Sequence, residues 1–281
     1  MAPSSDRVPR VDRLLLLGVG SVAQAVRAAL PQSVATGTTR RPPDARFAQI
    51  APLAAADFEA IRAAAQGARV VISFPPDGHS DRALSALVTG AARLVYLSST
   101  AVYAADAHVI DEATEARADS ERGRLRLEAE AIWRSLGASV VRLPALYGPS
   151  TGLHRSLSRG SFRMPGTGEN VVSRVHLADA ARFVLAALEA ERGSLLLAGD
   201  DQPAPVREVV SFVCELFGLP LPASAEGADI PESLRQSRAV NNRATKQRHG
   251  ITLGYPTYRE GYRAIRKSLG ARANSADSER G

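Results

Sequence analysis

From residue 11 to residue 269, short apolar runs alternate with longer stretches of helical period. The first run, Leu14 to Leu17, is four consecutive leucines, as a strand buried on both faces requires. Similar runs at Ser33–Thr36, Ala68–Phe74, Arg93–Leu97, Ser139–Leu143, Ser173–His176 and Ser194–Ala198 predict further strands. Between them, helical patterns cover Ile61–Gln66, Asp81–Thr89, Glu121–Leu136, Asp179–Glu189, Pro205–Phe217 and Tyr255–Leu269. Pro75-Pro76-Asp77-Gly78, Pro144 and Gly148-Pro149 punctuate the pattern. Strands that alternate with helices predict an α/β protein with a parallel, doubly wound sheet. Ser150–Asn170 has little period and is expected to be a mobile segment near a ligand. Leu219–Pro231 reads as loop, and Met1–Arg10 and the segment after Gly270 read as disordered tails.

The turn after the first strand is Gly18-Val19-Gly20-Ser21-Val22-Ala23, and an alanine-rich helix follows. The spacing Gly18-x-Gly20-x-x-Ala23 is a dinucleotide fingerprint, with strand, turn and helix in the required order. Gly18 permits the tight turn. Gly20 lets the backbone approach a pyrophosphate at the positive end of the helix, and Ala23 keeps helix and strand close. The sheet is therefore expected to be of the Rossmann type, with residues 11–149 as the dinucleotide-binding core. Residues 150–269 form a small C-terminal substrate lobe interleaved with late core elements near 173–198.

The segment after the second strand, Gly37-Thr38-Thr39-Arg40-Arg41-Pro42, meets the adenosine ribose in such a fold. It has no acidic residue to bond a 2′-hydroxyl, and it has two arginines suited to a 2′-phosphate. NADP(H) is thus expected in preference to NAD(H), with Arg40 a better candidate than Arg41. A solvated loop is the competing reading. The expected cofactor contacts are Gly18, Gly20, Ser21, Val22, Thr39, Arg40, Arg41, Asp57, Phe74, Pro75, Leu143 and Pro144.

Composition narrows the picture. The formal charge of +6 comes almost wholly from arginine, since Lys246 and Lys267 are the only lysines. The arginines are spread among Asp and Glu, which does not favour nucleic acid and suits an anionic small ligand equally well. No apolar run approaches the roughly 20 residues of a membrane span. Cys214, the single cysteine, lies in an apolar helical pattern and reads as a core residue in a reducing, cytoplasmic setting. Arginines before the leucines, with Ala23-Gln24-Ala25 behind them, also suit a signal peptide, but cleavage there would remove the first strand.

Ser98-Ser99-Thr100-Ala101-Val102-Tyr103, Arg142-Leu143-Pro144-Ala145-Leu146-Tyr147-Gly148-Pro149, Val175-His176-Leu177-Ala178-Asp179 and Gly254-Tyr255-Pro256-Thr257-Tyr258-Arg259-Glu260-Gly261 carry a resemblance. Together with the glycine loop, they resemble the extended short-chain dehydrogenase/reductase superfamily. These are the NAD(P)-dependent epimerase and dehydratase relatives, and the closing segment is similar to a YeeZ-like, atypical branch. The resemblance implies a catalytic Ser/Thr and a Tyr-x-x-x-Lys pair on one helix face. Ser99 fits the first. Arg122 and Arg126 occupy the tyrosine and lysine positions in Arg122-Gly123-Arg124-Leu125-Arg126-Leu127-Glu128-Ala129-Glu130.

Arginine stays protonated, so it is a poor general acid or base. Arg126 can still bond a cofactor ribose, and both arginines can clamp a carboxylate or phosphate. Alternatively both lie on a solvated face paired with Glu121, Glu128 and Glu130. Tyr103 either supplies a phenol or is a buried aromatic. Tyr147 either lines the substrate pocket or is a turn residue, and His176 is either a substrate-side proton donor or structural. His176 and Asp179 lack further ligands for a metal. The superfamily also implies a homodimer through the helices beside the Ser99 strand, where Leu125, Ala129, Ile132 and Leu136 form an apolar stripe. Burial against the protein's own sheet explains that stripe equally well. The expectation is an NADP(H)-dependent oxidoreductase or epimerase-like enzyme on a small polar or anionic metabolite, or else a non-catalytic NADP(H)-binding sensor or partner-binding module.

Overall fold

A computed structural model describes residues 11–227, 230, 234 and 236–278 of the chain, with side chains described through Gly270. The expected tail at Met1–Arg10 lies outside the described residues. Seven strands form the central sheet: β1 (Arg13–Leu17), β2 (Val34–Thr39), β3 (Ala51–Ala54), β4 (Arg69–Ile72), β5 (Arg93–Ser99), β6 (Ser139–Leu143) and β7 (Leu195–Leu197). Their order is β7-β6-β5-β4-β1-β2-β3, and every adjacent pair is parallel.

The leucine run explains both faces of this sheet. Leu14 and Leu16 pack with Val71, Val95, Val141 and the helices α1 (Ser21–Ala29) and α6 (Leu177–Glu189). Leu15 and Leu17 point the other way, onto α2 (Phe58–Ala65), α3 (Ser80–Ser85) and α4 (Glu121–Ser135). Alternation along each strand supplies both layers, and full burial of each leucine contributes roughly 1.5–3 kcal/mol. Trp133 of α4 is fully buried, stacks on Tyr96 at 6.4 Å, and donates to Asp81 Oδ1 at 2.7 Å.

Strand order reverses between β1 and β4, so their C-terminal ends open a crevice there, the usual ligand position in such sheets. The C-terminal part adds its own core. Tyr147, Tyr258 and Tyr262 are buried with Val209, Val210 and Val213 of α7 (Val206–Phe217).

Several expected boundaries differ. Ser150–Asn170 contains an ordered helix, α5 (Leu153–Ser158), because His154 and Leu157 are buried and His154 stacks on Phe217 at 5.3 Å. A further helix, α8 (Arg243–His249), lies outside the helical patterns expected from sequence and buries Thr245. The last helix, α9 (Tyr258–Ser278), starts after the turn at Pro256-Thr257 and continues past Gly270, where a disordered tail was expected. Strand β2 extends to Thr39, and the segment after Leu219 includes a two-residue strand, Ser224–Ala225. Cys214 is buried, as its apolar neighbours predict.

Candidate functional site

A cleft of about 480 Å³ opens over the C-terminal ends of β1, β4, β5 and β6. One wall is the fingerprint turn. Gly18 has φ of +86°, and a Cβ there would lie 3.1 Å from Phe74 N, so this turn needs glycine. Gly18 N–H donates to Thr38 Oγ1 at 2.8 Å, which fixes the turn against β2. Gly20 precedes α1, and among the described residues no side chain caps that helix. The N–H groups of its first turn therefore lack intrahelical partners, and Gly20, Ser21 and Val22 line the cleft. A Cβ on Gly20 would fill the gap toward Ser73 Oγ, at 3.5 Å. Uncapped amides and a bare backbone beside open space fit a pyrophosphate. Pro75, Leu143 and Pro144 line the same cleft.

Thr39, Arg40 and Arg41 lie at the end of β2 beside this wall. Thr39 Oγ1 donates to Arg41 O at 2.7 Å, which holds the turn. Arg40 Nη2 donates to Asp77 Oδ2 at 2.9 Å and to Ser80 Oγ at 2.6 Å. Asp57, expected at the cofactor, instead caps α2 by accepting from Ala60 N at 3.0 Å.

The opposite wall is made of side chains. Ser99 ends β5, lines the cleft, and accepts from Ala101 N at 3.2 Å. Helix α4 lies against the turn after Ser99, because a Cβ on Gly123 would sit 2.4 Å from Ala101 O. That close approach brings Arg122 and Arg126 to the cleft. The two arginines differ. Arg126 is half-buried, and its Nη1 donates to Leu97 O at 2.8 Å and Tyr96 Oη at 3.2 Å. Arg122 is exposed and has no hydrogen-bond or ion-pair partner among the described residues. Arg126 is thus tethered through one nitrogen, while Arg122 is a cation without a partner among the described residues.

Glu130 is also not on a solvated face. It is buried, accepts from Ser98 Oγ at 2.5 Å, and pairs bidentately with buried Arg142 at 3.0 and 2.7 Å. Arg142 Nη1 in turn donates to Tyr103 Oη at 2.8 Å. Tyr103 is buried yet lines the cleft. Burial raises its phenol pKa, against the pull of Arg142. Because a guanidinium only donates, the Tyr103 oxygen is the acceptor in this bond and its own proton points elsewhere. The chain Ser98–Glu130–Arg142–Tyr103 ties β5, α4, β6 and the Ser99 turn together directly beneath the cleft.

Two expected substrate residues belong elsewhere. Tyr147 is buried in the C-terminal core, stacked on Tyr262 at 4.8 Å. His176 caps α6, accepting at Nδ1 from Ala178 N at 3.2 Å, and packs on Tyr255 at 4.1 Å. Burial lowers its pKa to about 4, so the ring is neutral. Asp179 accepts from Gly254 N and Tyr255 N at 2.7 and 2.9 Å, which makes the His-x-x-Asp segment a strap for the chain end.

Ser73, Asp119, Ser120, Gln236 and Arg238 were not expected and line the cleft. Arg238 donates to Thr100 O, Tyr103 O and Ala104 O at 2.8 to 2.9 Å, and so secures the Ser99 turn. Nothing local in 236–240 signals a partner more than 130 residues away. Ser120 carried a usable signal, since serine before Glu121-Arg122-Gly123 is a helix cap; it accepts from Gly123 N at 3.1 Å.

The model of the NAD dependent epimerase/dehydratase family matches residues 78–195. A curated relative from Streptomyces sp, 3-diazoavenalumate denitrifying reductase, is 30% identical over 283 aligned positions, covering 92% of this chain and 87% of that protein. A functionally unknown conserved protein from Silicibacter pomeroyi DSS is 31% identical and superposes with a TM-score of 0.79, over 92% of this chain and 99% of that one. MoeE5 in complex with UDP-glucuronic acid and NAD shares the fold at 21% identity, with a TM-score of 0.77 over 93% and 99% of the two chains. Among the described residues no helix is long and apolar enough to cross a membrane. The fingerprint turn, the Ser99 strand and these relatives together place the chain in the NAD-dependent epimerase/dehydratase family of extended, here atypical, short-chain dehydrogenases/reductases, as an NAD(P)-dependent oxidoreductase or epimerase-like enzyme.

Proposed function

We propose that the protein is an NADP(H)-dependent reductase of a small anionic substrate. One observation carries the reading: the start of α1 and the cation of Arg122, both without a side-chain partner among the described residues, share a single cleft with Ser99. The dinucleotide, when bound, supplies or accepts hydride. Gly20, Ser21 and Val22 hold its pyrophosphate, Arg40 its 2′-phosphate, and Arg126 its ribose. Ser99 orients the substrate's polar atom. Arg122 grips the substrate's carboxylate or phosphate, for which a planar guanidinium provides two parallel donors. Tyr103, whose proton is not spent on Arg142, is the phenol available to the cleft.

Reduction is favoured over epimerisation because neither Arg122 nor Arg126 can take and return a proton. The Streptomyces relative's name fits this limit. If the diazo group reacts as its diazonium form, hydride would form the new carbon–hydrogen bond while the carbon–nitrogen pair leaves with dinitrogen, an exchange that calls for no proton from the enzyme. The test is NADPH consumption with 3-diazoavenalumate and, separately, with an aromatic keto acid. The expected result is turnover of a carboxylate substrate that Arg122→Gln weakens through KM. The loss of Tyr-x-x-x-Lys favours a second reading, a non-catalytic NADP(H)-binding sensor or partner-binding module. That reading gains if NADPH binds tightly and is never consumed.

A further inference from the structure

We infer that Asp77 is a specificity-determining residue for the cofactor: its carboxylate occupies Arg40 in place of the 2′-phosphate, and NADP(H) must displace it. The inference rests on the NADP(H) reading of Arg40. Arg40 follows β2 and Asp77 follows β4, the two neighbours of β1 in the sheet. The pair therefore spans the end of β1, where the Gly18–Gly20 turn lies.

The two partners are held unequally. Asp77 is anchored, since its Oδ1 accepts from His79 N at 3.0 Å and Ser80 N at 2.7 Å, and its Oδ2 accepts from Ser80 Oγ at 2.7 Å. Arg40 is two-thirds exposed, at 66%, and is the partner free to move. Burial works against the Asp77 charge, but the Ser80 hydroxyl and amide and the Arg40 guanidinium hold its carboxyl well below the usual range. It is thus an anion at any working pH, and the contest for Arg40 is between two anions.

The geometry makes the contest direct. A guanidinium grips a phosphate through two parallel N–H groups, either Nη1 with Nη2 or Nε with Nη2. Nη2 belongs to both forks. In this structure Nη2 donates both to Asp77 Oδ2 and to Ser80 Oγ. Neither fork can close on a 2′-phosphate until Arg40 leaves Asp77. NAD(H) has no such phosphate, so its binding leaves the pair intact. Asp77 accordingly lowers affinity for NADP(H) alone and narrows a preference that Arg40 creates.

The test is calorimetric titration of the full chain with NADPH and with NADH. It uses wild type, Asp77→Asn, Arg40→Ala and the double variant. Asparagine keeps an oxygen for the His79 and Ser80 amides and removes the charge. The expected result is NADPH affinity about two- to fivefold tighter in Asp77→Asn, the size of an exposed ion pair, with NADH changed by less than about twofold. Arg40→Ala should weaken NADPH by about tenfold or more, and Asp77→Asn should be silent in its background. If Asp77→Asn leaves NADPH binding unchanged or weaker while Arg40→Ala still weakens it, Asp77 merely positions Arg40 and the inference is wrong. If Arg40→Ala leaves the NADPH-to-NADH ratio unchanged, the NADP(H) reading fails first. A melting curve of ligand-free Asp77→Asn confirms that the fold is kept.

Discussion

The wall of the cleft from Gly18 to Val22 offers backbone N–H groups, whereas the facing wall offers the side chains of Ser99, Tyr103, Arg122 and Arg126. The first is a local product of strand, turn and helix within ten residues. The second depends on a buried ion pair, Glu130–Arg142, that joins segments far apart in sequence. Backbone donors cannot be lost by mutating one residue, only by refilling the space they face. A side-chain wall can fail at a single charge. The two walls should therefore respond to mutation in different ways: the first loses ligand with modest loss of stability, and the second loses stability wherever a change reaches the ion pair beneath it.

The largest effect should come from Glu130→Gln. It leaves Arg142, 5% exposed, without its counter-ion, and breaking one side of a buried pair costs about 3–5 kcal/mol. Urea unfolding measures this loss. A loss below about 1 kcal/mol would mean that the second wall does not depend on the pair. Asp200 sharpens the point, because it is a buried carboxylate that closes no salt bridge among the described residues. Burial raises its pKa to about 7, outweighing the Arg174 charge and the Gln202 amide, which both pull it down.

The folded chain therefore holds the Asp200 proton more tightly than the unfolded chain does. Its contribution is complete below the ordinary value of 3.8 and is lost as pH rises through about 7. At about 1.4 kcal/mol per unit, wild type should lose roughly 2–4 kcal/mol relative to Asp200→Asn between pH 4 and pH 8. Melting temperatures of both proteins across that range give the difference. His176 has the opposite sign: burial holds it near 4, so its contribution is full above pH 6.5 and is lost on acidification. Because His176 is present in both proteins, the difference isolates Asp200.

On the first wall, Gly18→Ala forces a side chain into a left-handed turn and against Phe74. The expected cost is about 1–3 kcal/mol, with NADPH binding lost in calorimetry. A variant that melts like wild type and still binds would show that the turn is only a connection.

The same contrast explains what could be read from sequence. The leucine run, the glycine spacing and the Ser99 strand are local patterns, and they predicted the sheet and the start of the cleft. Glu130 looked like one more acid on a charged helix, because its partner Arg142 lies on a different element, across the α4–β6 turn. Tyr147 and His176 were expected near the substrate, yet Tyr147 packs in a second core and His176 beside it caps α6. Arg238 enters the cleft only because the chain returns from the C-terminal lobe, pairing Ala239–Val240 with Val109–Ile110. Residue type and spacing carry no trace of such long-range closure.

The smallest effect on stability should belong to the residue proposed to grip the substrate. Arg122 is exposed and unpaired among the described residues, so Arg122→Gln should change folding stability by less than about 0.5 kcal/mol. Its neighbour one turn on, Arg126, bonds Leu97 O and Tyr96, so Arg126→Gln should be measurably destabilising, by about 1–2 kcal/mol. If Arg122 grips a substrate anion, its loss removes a charge-assisted contact of about 1.5–3 kcal/mol, which is roughly 10- to 150-fold in KM. NADPH affinity should stay at the wild-type value, since the pyrophosphate wall is untouched. Stability and NADPH binding without change, together with a raised KM, would mark Arg122 as the point where the side-chain wall meets the substrate. A matching fall in NADPH affinity would place it on the cofactor instead and merge the two walls into one.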